Sequence, residues 1–187
     1  MSSDRLPILS QGLATLTLWL MIAMLCLNAA VWLVPAWGTL PGQHGFDFSL
    51  SDRLMAMLAL DPAALPPWQR LGALLLSSIP LLVISRGLLH LRALFQGYAS
   101  GLYFSPQSAT HMGGLGHCVA LWVLCDFLCE PLLTVWLTFT QPPGERLLSV
   151  SLEPSAVVAL FLAACVVVIA RILRRASDLH AENQQFI

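Results

Sequence analysis

Charge is scarce in this chain. Asp, Glu, Lys and Arg together make up 10% of its 187 residues, where a soluble domain carries about 25%. An ordinary water-soluble globule is thereby excluded. Net charge is −1, which leaves no basic surface for sequence-independent contact with nucleic acid. Lysine is absent altogether, a bias that carries no functional weight. The low hydrophobicity and high charge that keep a chain disordered are lacking too: 57% of the residues are hydrophobic and mean hydropathy is +0.76. No Cys-x-x-Cys, Walker loop, nucleophile elbow or zincin motif occurs. Ser177, Asp178 and His180 crowd one helical turn and cannot build a triad, so a catalytic reading has no footing. What remains is an integral membrane protein, all-α and not an enzyme.

A crossing helix needs about 20 mostly apolar residues, and four segments supply them. They run from about Leu13 to Val34, Leu71 to Leu91, Leu115 to Phe139 and Ala156 to Leu173. The first is too long for the usual h-region of about 7–15 residues in a signal peptide, and Asn28-Ala29-Ala30 is a poor cleavage site, so it reads as an uncleaved helix. Arginines near the ends set orientation. Arg5, Arg86, Arg92, Arg171, Arg174 and Arg175 collect on one side; Arg53, Arg70 and Arg146 collect on the other. The excess places both termini in the cytoplasm. One domain, residues 1–187, accounts for everything: a four-helix transmembrane bundle with a polar helical stub over 174–184.

Two connections have features of their own. In the first outer loop, from Ala36 to Trp68, Leu50, Leu54, Met57 and Leu58 recur at helical spacing behind Ser49 and Ser51, which suit a cap. A short interfacial helix is expected there, with Trp32, Trp37 and Trp68 in an aromatic belt. Between the second and third spans, Gly101 suits a helix stop, and Ser105 before Pro106 suits a helix start. Tyr98, Tyr103 and Phe104 make this connection unusually aromatic.

Asp126 and Glu130 are the most informative residues. Ionisable groups in a span are functional-site candidates by default, and each costs about 2.5–3.5 kcal/mol on the insertion scale. Four residues apart, they share a helix face. Two like charges there would repel, so at least one is expected to hold a proton. Pro131 follows directly and frees a backbone carbonyl about one turn earlier. Such a pair suits a proton relay or cation site; the plainer reading bonds it to neighbours such as Asn28 or Ser77 as interhelical glue. Arg86 lies nearer the membrane edge and is a poorer partner. Cys118, Cys125 and Cys129 recur on one face as small packing residues. His90, His111 and His117 gather near one end of spans two and three, with His90 and His117 only loosely matched as ligands to a haem or metal. No metal or cofactor is expected.

Leu94-Phe95 followed by Tyr98, Gly101, Phe104 and Ser105 resembles the cytoplasmic loop of a bacterial family of four-span membrane proteins, the domain of unknown function 2975. The end of the chain, from Arg174-Arg175 through Asp178-Leu179 to Glu182-Asn183, resembles that family's closing signature. The resemblance covers roughly residues 71–187; Asp126, Glu130 and His180 fall outside its pattern. Members of that family are often encoded beside a small helix-turn-helix regulator. The resemblance therefore implies a regulatory membrane protein that holds such a regulator. Tyr98 and Phe104 would anchor the partner, and Arg174, Arg175, Asp178 and Glu182 would supply polar contacts. The alternatives are a structural or assembly subunit of a membrane complex, with a homo-oligomer among its forms, and a proton- or ion-coupled transporter built on the intramembrane carboxylates.

Overall fold

The structure is a computed structural model that describes residues 5–34, 65–101, 105–142, 146, 148–151 and 153–184. The described chain forms four long helices: α1 (Arg5–Leu33), α2 (Pro67–Ala99), α3 (Pro106–Thr138) and α4 (Pro154–Gln184). Each is long and apolar enough to cross a membrane. No strand occurs among the described residues. The expected interfacial helix around 50–58, together with Trp37, Tyr103 and Phe104, lies outside the described residues.

The helices run past the apolar segments that announced them, because their ends are set by local signals and not by hydropathy. Pro67 opens α2, where the missing N–H costs nothing, and the Gln69 and Arg70 amides bond the Pro66 carbonyl at 3.0 and 3.2 Å. At the far end Gly101 adopts φ +82°, a left-handed conformation that glycine takes without a Cβ penalty. Its amide bonds the Tyr98 carbonyl at 3.1 Å. Ser105 caps α3 as its position before Pro106 predicts: its hydroxyl accepts from the Ser108 amide at 3.1 Å. The stretch 174–184, read as a helical stub, is the unbroken end of α4, which stays helical through Gln184.

Packing gathers the chain into two compact units, each assembled from separate stretches: Met1–Met21, Val83–Leu121 and Pro154–Ile187 in one, and Ile22–Leu82 and Trp122–Glu153 in the other. In the first, contact is made through small residues. Ala14, Ala109, Ala163 and Ala170 are buried there, and a side chain added at Gly116 would meet Val167 and the Ala163 carbonyl. Small residues let membrane helices approach closely, where van der Waals contact replaces the hydrophobic drive that lipid removes. The second unit has a core built around large side chains, Trp32, Leu65, Leu133 and Leu137, with Ala73 and Cys129 between them and Leu74, Leu76 and Trp136 at its flank. Trp32 is therefore a core residue at 1% exposure and not part of an aromatic belt. Its indole N–H reaches the Ser77 hydroxyl at 3.2 Å, so both its apolar body and its polar edge are satisfied inside.

The outward faces are apolar in the sense expected for lipid. Leu75, Leu82, Leu132, Phe161 and Ile172 are all more than half exposed. Exposed apolar surface on this scale is costly in water and natural in a bilayer.

Candidate functional site

The second unit carries three polar clusters, and helix geometry explains each. Glu130 is 2% exposed. Its carboxylate accepts from the Ser149 hydroxyl at 2.9 Å and from the Ser151 hydroxyl at 2.8 Å on one oxygen and 2.9 Å on the other. Both serines precede α4. Being two apart on a non-helical segment, they point the same way, while Val150 between them faces out at 57% exposure. The Glu130 carbonyl accepts from the Thr134 hydroxyl at 2.8 Å.

Asn28 and Ser77, the partners expected for the acidic pair, bind each other. The Ser77 hydroxyl lies 3.0 Å from Asn28 Oδ1, and Asn28 Nδ2 donates to Ser78 Oγ at 3.2 Å. Together with Trp32 they tie α1 to α2. The polar residues singled out from the sequence are thus bonded inside the unit, Glu130 to Ser149 and Ser151, and Asn28 to Ser77 and Ser78. Ser149 and Ser151 went unnoticed because a serine pair in a short connection looks like solvated loop; their alternation just before Pro154 is the one available signal. Asp126 is half-buried and Arg86 exposed.

The third cluster involves residues the sequence did not single out. Gln69, fully buried, donates from Nε2 to the Trp136 and Leu137 carbonyls at 2.8 Å each. In return Trp136 Nε1 donates to the Gln69 carbonyl at 2.9 Å. Those carbonyls belong to the last turn of α3, whose final four acceptors have no partner within the helix. Gln69 therefore caps α3 from α2. Gly72, one turn along, makes room for the Trp136 ring, which a Cβ there would overlap.

In the first unit two histidines meet. His90 on α2 meets His111 on α3, with Nδ1 atoms 3.2 Å apart. His117 is exposed, and its Nδ1 lies 2.7 Å from the Gly113 carbonyl of its own helix. Among the described residues no group of three or more His, Cys, Asp or Glu is placed to hold a metal. Cys118 packs beside Gly87 and Cys129 enters the core of the second unit, so these two act as packing residues; all five cysteines are free thiols.

The proposed docking residues divide. Tyr98 is half-buried near the end of α2, while Arg174, Arg175 and Asp178 are exposed on α4 beside Leu179 at 57%. Phe104 and the side chain of Glu182 fall outside the described residues.

Four helices long and apolar enough to cross a bilayer define a multi-pass membrane protein. The chain belongs to the DUF2975 family of proteins of unknown function, whose model matches residues 4–187. The match takes in the first span and its outer loop, well beyond the stretch from 71 onward on which the resemblance rests. Neither curated proteins nor solved structures give a match.

Proposed function

We propose that this is a non-enzymatic regulatory protein of the bacterial inner membrane, with both termini in the cytoplasm, that docks a small helix-turn-helix regulator. The observation that carries this reading is the length of α4. A bilayer crossing uses about 20 residues, whereas α4 continues for 31. Its last third holds Arg174, Arg175 and Asp178 exposed. A preformed helix beyond the apolar segment binds without first paying the entropy of folding, and mixed charges beside the exposed Leu179 are the composition of a polar rim around an apolar contact. The Tyr98 connection lies on the same side of the membrane in this orientation and supplies aromatic anchors of the kind that dominate interfaces.

The test is purification in mild detergent from the native host, with co-purifying proteins identified by mass spectrometry. A near-stoichiometric soluble DNA-binding protein is expected with the full chain. It should be lost on truncation after Leu173 and weakened by reversing the charge at Asp178. Recovery of other integral membrane proteins instead would replace this reading by that of an assembly subunit.

A further inference from the structure

We propose that His90 and His111 share a single proton and form an acid-sensitive fastener between α2 and α3. The inference is independent of the docking reading. It starts from the direction of approach. The Nδ1 atoms are 3.2 Å apart and the ring centroids 5.5 Å. The centroid separation exceeds the nitrogen separation by about the width of one imidazole, so the two nitrogens face each other nearly head-on. A neutral imidazole carries one N–H donor and one bare acceptor nitrogen, whereas an imidazolium has two donors. A head-on N–H···N contact therefore needs one proton between the two nitrogens. Adding a proton to the accepting nitrogen turns both into donors, removes the bond and sets two positive rings against each other.

The surroundings hold the pair in place, and no acidic residue stands one turn from either histidine on its own helix. The His90 ring lies against Gly114 of α3, where an added Cβ would stand 3.0 Å from it; glycine is what lets the ring sit so close. On α2 the charged residue one turn before His90 is Arg86, a third basic group. On α3 the positions one turn to either side of His111 are Gln107, Ser108, Gly114 and Leu115, none of them charged. Where α4 meets this part of α3, at Gly113 and Gly116, it does so through Ala163, Val166, Val167 and Ala170. The pair stands a few turns from Gly101, so it ties the two legs of the α2–α3 hairpin near its tip.

The experiment is amide hydrogen exchange on the full chain in lipid nanodiscs between pH 8 and pH 5.5, corrected for the intrinsic rate. In the wild type, protection over residues 86–99 and 106–117 is expected to fall roughly three- to tenfold on acidification, the fold-change that loss of one hydrogen bond produces. His90→Gln and His111→Gln should each abolish that response, while His117→Gln keeps it. A wild type with no response, or a response that survives in both pair variants, overturns the proposal. Ring nitrogen NMR of the wild type supplies a readout that does not depend on the variants folding. One protonated and one bare Nδ1, coupled across the bond at pH 8, is the expected signature; two independent rings would refute it.

Discussion

The two units solve the same problem, holding helices together where lipid competes for every apolar contact, by opposite means. In the unit that includes all of α4, the only large buried apolar side chain among the described residues is Leu94; the rest are alanines, with Ser10, Thr17, Ser85 and Ser108. Side chains of neighbouring helices press against glycines there: Cys118 on Gly87, Ala170 on Gly113 and Val167 on Gly116. The other unit buries Trp32, Leu133, Leu137, Gln69 and Glu130 almost completely and fastens them with side-chain hydrogen bonds. The difference shows that close approach and bulky interlocking are alternative sources of the same dispersion energy. Close approach depends on what is missing from the side chains. Interlocking depends on what is there, and it brings polar groups inside that must then be satisfied.

The comparison predicts opposite sensitivities. Leu133→Ala should leave a cavity in the bulky unit and cost about 2–5 kcal/mol. In the small-residue unit the damaging change is enlargement: Gly116→Leu, facing the Ala163 carbonyl, should cost about 1–3 kcal/mol. Reversible unfolding in mixed micelles, followed by tryptophan fluorescence, measures both. If shrinking Leu94 proved as costly as shrinking Leu133, the distinction would collapse. A smaller effect is expected from Glu130→Gln. The amide keeps one acceptor oxygen for the serines but turns N–H groups toward the others, costing about 1 kcal/mol in the same assay. It should also loosen Ser149 and Ser151, seen as faster exchange of their amides. The smallest effect concerns Ser85, whose buried hydroxyl has no hydrogen-bond partner. Ser85→Ala removes an unmet polar group and should be neutral or stabilising by up to about 1 kcal/mol; a clear loss would mean that the small-residue unit relies on that hydroxyl after all.

Much of this was legible in the sequence, for reasons that differ by level. The four helices announce themselves because an apolar run of this length has few alternatives. The turn from α2 to α3 was readable at Gly101 and Ser105 because these residues act on their own backbone. Partnerships were not readable. Asn28, Ser77 and Glu130 are each visible as polar groups in apolar segments, but which meets which depends on helix rotation, and a polar side chain is satisfied equally well by several neighbours. Trp32 was placed at the membrane edge by its position in the chain, when its rotation turns it inward. His111 was passed over for His117 because helical spacing alone does not say which face of α3 meets α2.

Gln69 has a consequence of a different kind. It grips the Trp136 and Leu137 carbonyls, atoms that every residue possesses, so the contact is written at one of its ends only. A change of residue at 137 leaves the acceptor where it was. Inserting or deleting one residue in the last turn of α3 would rotate that acceptor away by about 100°. Gln69 thus works as a length gauge: it is indifferent to the side chain at 137 and strict about how many residues α3 has used to get there.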